Sequence, residues 1–493
     1  MWQSADVPEP LADLERALAR ELELLGLPAR SWTARVPGPD GTDLLDVLVV
    51  GAGMYGTAAA GALLLRGIDN LQVVDRCDAG QEGPWVTTAR MHTLRSPKIL
   101  PGVDLGLPSL TFRAWFTARD GEQAWNDLGK IANRDWMDYL LWVRRVLGVP
   151  VRGGVEVTAV HPGDGHLAVE LDTGQVLRAR RVVLATGRLG TGGPFVPAGV
   201  DPDLGPELVR HASARIDDEL LAGRQVAVVG GGPAAWDMAA AALEAGATGV
   251  DLYVSRAVLP QVNKFRASAT AGFVDGWAGL PLPDRWAMVC FLDDHDTPPP
   301  HESVLRAVAL PGLAVHLGAP LVSAARCDSG VTLTLGPDGR RAHAQFVVLA
   351  TGYAVDVAAV AELQDLAPHA ATWAEVYRPP AGLQRPDRAA FPFLGEGFEL
   401  TERSPGSCPA LNRVHLFNHG AFATLGPIAS DIPGVSAGAA RLAAAISRSL
   451  FAEDLDHVVA ELAAFDEPEL AQTPYFSAQQ LQAQRKIPVW PRE

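Results

Sequence analysis

The chain has 493 residues, 48% of them apolar and 20% charged, with a formal net charge of −16. This composition fits a folded protein of two or three domains rather than a disordered chain, and an acidic surface without a basic stripe argues against nucleic-acid binding. Cys77, Cys290, Cys327 and Cys408 form no C-x-x-C pair, which removes a local dithiol centre or zinc ribbon and leaves free thiols of a reducing, cytoplasmic protein.

In the N-terminal stretch, residues 1–43, Leu11, Leu14, Leu18, Leu22 and Leu25 recur at helical spacing. They predict an amphipathic helix packed on the body, and no signal peptide precedes them. Residues 47–65, VLVVGAGMYGTAAAGALLL, are apolar enough to imitate a membrane span. Glycines after only a few β-branched residues fit a buried strand, a tight turn and a buried helix better, so no membrane span is expected.

That turn carries Gly51, Gly53 and Gly56 as G-x-G-x-x-G, with Met54 and Tyr55 inside it. The first glycine permits the turn, the second lets backbone approach a pyrophosphate, and the third allows the helix to pack on the strand. The helix N-terminus then offers N–H donors to phosphates. The next strand, LQVVD, ends at Asp75, followed by Arg76. A carboxylate there can hold ribose hydroxyls. The unit closes with ARRVVLATGR, ending in Ala185, Thr186 and Gly187.

The same grammar returns after a Pro/Gly-rich crossing at 187–206. The stretch QVAVVGGGPAAWDMAA places Gly230 and Gly232, then Pro233, Ala234 and Ala235, in the equivalent turn. Its following strand, GVDLYVSR, ends not in an acid but in Ser255 and Arg256. An arginine there suits a ribose 2′-phosphate, which a carboxylate would repel. The unit closes with AQFVVLATGY, carrying Thr351, Gly352 and Tyr353. The first loop is therefore read as an FAD site and the second as an NADPH site, implying hydride transfer between the two.

These patterns predict an α/β protein of two Rossmann-like dinucleotide-binding domains, the NADPH domain inserted in the FAD domain. The expected segments are an N-terminal helical extension at 1–43, a first FAD part at 44–204, the NADPH domain at 205–354, and a second FAD part with C-terminal helices at 355–493. The tail contains a Pro-rich stretch (378–409) and an apolar helix (435–451). The glycine-bearing segment before that helix (416–434) includes Asn418 and Asp431; a helix N-terminus there would face the flavin's pyrimidine edge, the alternative being a plain helix-entry loop.

At this point the sequence resembles the two-dinucleotide flavoproteins, and among them the class B flavin-dependent monooxygenases. GQEGPW (80–85), with Trp85, is similar to the family's glycine-tryptophan turn beside the flavin. GGGPAAWD resembles its NADPH loop, with Asp237 at a customary acid. PSLTFRAWF (108–116) and NRDWMDYLLWVRRVLGVPV (133–151) resemble the N-hydroxylating branch, where they lead to a strand beside the flavin; Val157 is assigned to the cofactor on that basis. PQVNKF (260–265) resembles the stretch whose asparagine contacts substrate and NADP, which makes Asn263 a site residue. The chain has only four lysines; Lys98 and Lys264, with Arg95 and His92, fall where cations could meet an anionic substrate or the flavin phosphates.

The resemblance implies that reduced FAD activates O₂ as a C4a-hydroperoxide, which oxygenates a nucleophilic nitrogen or sulfur of a small metabolite, N-hydroxylation being favoured. Neither a Ser-His-Asp triad nor a metal site is expected. Two departures matter. The Baeyer–Villiger fingerprint is missing apart from an echo in VRHAS (209–213), and ARMHTLRSPK (89–98) offers no clear counterpart of the lysine that holds an amino-acid carboxylate. An NADPH-dependent flavin reductase or dehydrogenase serving a carrier or quinone, a Baeyer–Villiger enzyme, and a non-catalytic flavin-binding module remain open alternatives. Self-association is compatible with each.

Overall fold

A computed structural model of the chain describes residues 9–429 and 431–484, so the first eight and last nine positions of the expected segments lie outside it. Helix α1 (Glu9–Leu25) buries Leu11 and Leu18 against the body, while Leu25, on the expected apolar stripe, ends the helix exposed. Two of its acids fasten it: Glu21 accepts from Ser109 Oγ at 2.7 Å and Glu15 from Trp142 Nε1 at 3.1 Å.

The imitation membrane span resolves into strand β1 (Leu45–Val50) and helix α2 (Met54–Leu65). Its first ten residues, Met54 to Leu63, are all buried. A helix apolar all round belongs inside a core, and its alanines and glycines let it lie close to the sheet. Strand β2 (Leu71–Val74) pairs parallel to β1. Helices α3 (Phe112–Asp120), α4 (Glu122–Asp127) and α5 (Asn133–Val146) follow, knit by an aromatic cluster around Phe112, Trp125, Trp136 and Tyr139.

Strands β3 (Val151–Arg152), β4 (Val157–Pro162), β5 (Leu167–Leu171) and β6 (Val176–Leu184) complete most of a seven-stranded sheet in the order β3-β2-β1-β6-β5-β4. β6 changes partners along its length. Its first half pairs antiparallel to β5; its buried second half runs parallel to β1.

The second sheet is wholly parallel, in the order β10-β9-β8-β14-β7. It is built from β7 (Val209–His211), β8 (Gln225–Val229), helix α6 (Pro233–Glu244) and β9 (Gly249–Tyr253). Next come α7 (Ala271–Gly276), α8 (Leu282–His295), α9 (His301–Val308) and β10 (Leu313–His316). A three-stranded antiparallel sheet of β11 (Leu321–Cys327), β12 (Gly330–Leu335) and β13 (Arg340–Ala344) precedes β14 (Phe346–Leu349).

After β14 the chain returns to the first sheet, where β15 (Val414–Leu416) pairs parallel to β6. The second sheet is thus inserted in the first. The two connecting segments run side by side: Phe195 N–H donates to Gly352 O at 3.0 Å and Ala354 N–H to Gly193 O at 3.0 Å. The long helix Val435–Glu453 then covers α2. A buried ion cluster fixes the end of that helix to β6, Arg180 meeting Asp46 at 3.0 Å and Asp454 at 2.7 Å.

One feature lies outside the sequence reading. α7 and α8, inserted after β9, pack not on their own sheet but on the returning tail. Trp277 and Trp286 join Trp373, Phe391 and Phe422 in a separate aromatic core. Within it Trp286 Nε1–H donates to Leu383 O at 2.7 Å, and Trp373 Nε1–H to Thr424 Oγ1 at 2.9 Å.

Candidate active site

Both glycine turns open on one continuous cleft of about 3000 Å³. Pockets for single small ligands run to about 1,000 Å³, so this cleft has room for more than one large ligand. At the first turn Gly51 has φ +99°, and a Cβ there would stand 2.6 Å from Ala185 O. A Cβ at Gly56 would meet Gly51 O at 1.7 Å, so helix and strand touch only because no side chain intervenes. Among the described residues Gly53 has no atom nearer than 4.0 Å to its would-be Cβ, and it faces the cleft.

Asp75, at the tip of β2, lines the same space. Its Oδ2 accepts from Ala52 N–H at 2.7 Å and its Oδ1 from Cys77 N–H at 2.8 Å, which aims the carboxylate. Arg76, Trp85, Val157, Ala185, Thr186 and Gly187 also line it, with Trp85 set edge-on against Trp136. Tyr55 O–H donates to Asp431 O at 2.8 Å, joining the turn to the segment before the last long helix. Asn418 sits behind this wall, donating to Thr186 Oγ1 at 3.2 Å and accepting from Gly420 N–H at 2.9 Å.

The second turn repeats the first: Gly230 has φ +146° and its would-be Cβ falls 2.3 Å from Ala350 O. Gly232 has open space, and Ala235 is fully buried where Gly56 stands in the first turn. Pro233 and Ala234 open α6 at the cleft, and Ser255, Arg256, Thr351, Gly352 and Tyr353 line it. Arg256 is ion-paired with Asp296.

The other expected cations are spread along the seam between the sheets. Arg95 reaches from the first sheet's long loop to Asp237 on α6 at 2.9 Å. His92 faces Glu244 at 3.9 Å and is not among the cleft-lining residues. Lys98 lies on the cleft wall, but its Nζ donates to Trp125 O at 2.6 Å and stands over the Trp125 ring. Asn263 lines the cleft and caps its own turn through Phe265 N–H at 3.0 Å; Lys264 is not among the lining residues.

Several residues on or behind the wall were not singled out by sequence. Arg144 and Glu82 form a buried pair at 2.6 Å, and Arg144 also donates to Ala52 O at 2.7 Å inside the first turn. Across the cleft, Phe265, His419 and Phe422 form an aromatic wall, with His419 stacked on Phe422 at 5.8 Å. Burial, and next to it Arg188 and Arg388, push the His419 pKa well below the usual histidine range, so the ring is neutral. Among the described residues its buried Nδ1 has no hydrogen-bond partner. Arg388 lines the same wall, its guanidinium gripped by Asp293 at 2.6 and 2.7 Å. The signal for these residues is long-range: Arg388 and its anchor are 95 positions apart.

Open glycine turns at helix N-termini, an aimed acid at one strand tip and an arginine at the other fit two dinucleotides, FAD and a nicotinamide nucleotide. The fold and the site therefore define a two-nucleotide flavoprotein. A family described as FAD-NAD(P)-binding matches residues 48–189, and one described as L-lysine 6-monooxygenase/L-ornithine 5-monooxygenase matches residues 126–287. The chain is 37% identical over 461 residues to an FAD-dependent urate hydroxylase of Xanthomonas campestris pv. campestris, covering 93% of this chain and 97% of that protein. Among solved structures it is similar to the ornithine N-hydroxylase of Kutzneria sp. 744 (TM-score 0.63, 20% identity, 82% of this chain and 99% of that one). It is also similar to the ornithine hydroxylase of Pseudomonas aeruginosa (TM-score 0.66, 17% identity, 83% and 100%). The chain belongs to the class B flavin-dependent monooxygenases.

Proposed function

We propose that the protein uses NADPH and O₂ to place one oxygen atom on an electron-rich, nitrogen-containing planar ring, with urate the first substrate to test. The observation that carries this is the near full-length similarity to a urate hydroxylase. The aromatic wall supports it: Phe265 and Phe422 set apolar aromatic surface beside neutral His419 on the cleft lining, a setting suited to a flat ring. The balance is substrate, O₂, NADPH and a proton giving hydroxylated substrate, water and NADP⁺.

The division of labour follows the two turns. Gly51, Gly53, Gly56 and Asp75 would hold FAD, which supplies the oxygen-activating chemistry when bound. Gly230, Gly232, Ser255 and Arg256 would hold the nicotinamide nucleotide. The chain's remaining task is to position the substrate and exclude water. The first sheet with its returning tail (44–204 and 355–493) and the inserted sheet (205–354) serve as the two nucleotide domains in this reading. The cysteines, unpaired among the described residues, support action in a reducing cytoplasm.

A second reading, N-hydroxylation of a primary amine, is favoured by the lysine/ornithine monooxygenase match over 126–287, which contains Asn263. The test is oxygen uptake by holoenzyme with NADPH and urate, ornithine or lysine, with mass spectrometry of the products. Urate is expected to stimulate uptake and gain one oxygen. Uptake driven by an amine alone would transfer the conclusion to the second reading. Reduction of an added quinone without oxygen use would remove both.

A further inference from the structure

The arginine that sequence assigns to a 2′-phosphate is already occupied. Arg256, at the end of β9, is ion-paired with Asp296, the residue that ends α8, and both line the cleft beside the second turn. Asp296 is held for this contact. Its φ is +43° with ψ at 169°, a backbone conformation that L residues rarely adopt. Its Oδ1 accepts from Thr297 N–H at 2.7 Å, leaving Oδ2 to the guanidinium.

A carboxylate and a phosphate cannot share one guanidinium without repelling each other. A ribose hydroxyl, in contrast, can donate to the carboxylate with no repulsion. At the first turn that acceptor stands on the strand tip, as Asp75; at the second turn it is delivered 40 residues later in sequence, from a helix end. We propose that Asp296 is a specificity-determining residue of the nucleotide site. It competes with the adenosine 2′-phosphate for Arg256 and accepts the free 2′-hydroxyl, so that the site takes NADH as well as NADPH. This rests on the second turn being the nicotinamide-nucleotide site and not on which substrate is oxygenated.

The test is equilibrium titration of the oxidised FAD holoenzyme with NADP⁺ and with NAD⁺, which differ only in the 2′-phosphate. Wild-type protein is expected to prefer NADP⁺ by less than about tenfold, below what one unopposed charge-assisted contact supplies. Asp296→Asn should raise that preference by about tenfold, through tighter NADP⁺ and weaker NAD⁺ binding. Arg256→Gln should abolish the preference while leaving NAD⁺ affinity within about twofold. Bound-flavin absorbance and the melting temperature verify that each variant is folded, and Asp296→Ser repeats the measurement should Asp296→Asn fail to fold. An unchanged NADP⁺/NAD⁺ ratio in the Asp296 variants, or a surviving NADP⁺ preference in Arg256→Gln, overturns the proposal. Neither result bears on the urate experiment, which reads a different part of the cleft.

Discussion

The turns at 51–56 and 230–235 share a strand, a positive-φ glycine and a helix N-terminus, yet their surroundings differ in kind. The first is braced from within. Asp75 grips Ala52 N–H, Arg144 grips Ala52 O, and Glu82, fully buried, neutralises Arg144. The second is braced at its edges by pairs that solvent reaches, Arg95–Asp237 and Arg256–Asp296. Buried pairs resist screening and are costly to break; solvated pairs give way for little free energy. The contrast suits a nucleotide kept through many turnovers on one side and a nucleotide that exchanges on the other.

The largest effect is expected at Arg144. Arg144→Gln strands the Glu82 carboxylate in the core, a change that costs about 3–5 kcal/mol, against a stability of about 5–15 kcal/mol for a typical protein. Purified variant should carry little flavin, read as the ratio of visible to ultraviolet absorbance, and should melt well below wild type. Replacing both partners, Arg144→Met with Glu82→Leu, removes the stranded charge and should recover much of the melting temperature. A single variant that keeps its flavin and its melting point would break the comparison, because the first turn would then not depend on its buried brace.

An intermediate effect should appear with pH. His415 lies on β15, buried, with Nδ1 against Gly397 O at 2.7 Å, and burial pushes its pKa down to about 4. An unfolded histidine titrates near 6.5. The unfolded chain therefore binds the extra proton first as pH falls. The stability that His415 contributes is complete above about pH 6.5 and is lost progressively down to about pH 4. At pH 5 the loss is about 2 kcal/mol. Flavin release measured from pH 8 to 5 should rise along this limb, and His415→Asn should flatten it. An unaltered limb in that variant would assign the acid sensitivity to other groups.

The amino-acid order displayed the two turns because each is local: strand, glycines and helix fall within about a dozen residues, and Asp75 and Arg256 stand at the next strand tips. The sheet insertion was legible for the same reason, since each unit closes on its own Ala-Thr-Gly. What stayed hidden depends on contacts between distant positions. Trp286 meets Trp373 across the chain, at 5.5 Å between rings, and nothing near α8 announces that it leaves its own sheet for the tail. Arg144 reads as one more charge in the last turn of a helix until Glu82, 62 positions earlier, is seen beneath it. Lys98 is by sequence a scarce cation in a cleft-lining segment, whereas its Nζ is engaged by a backbone carbonyl.

The smallest effect, and the sharpest test of the second region, is expected from Asp237→Asn. Asp237 is nearly fully buried on α6, but its partner Arg95 remains about two-fifths exposed, so water can take over the guanidinium when the carboxylate is neutralised. The amide keeps the shape and one acceptor oxygen, which limits the loss to about 1 kcal/mol. Other contacts across the same seam stay intact: Arg306 donates to Arg90 O at 2.7 Å, and Lys130 meets Glu302 at 2.9 Å. The seam should therefore hold, with flavin content unchanged and affinity for NADP⁺ lowered by about two- to fivefold. Titration of the oxidised holoenzyme reads both quantities in one sample. Loss of flavin in this variant would mean that the pair braces the first turn as much as the second, and the distinction between an inner and an edge brace would fall.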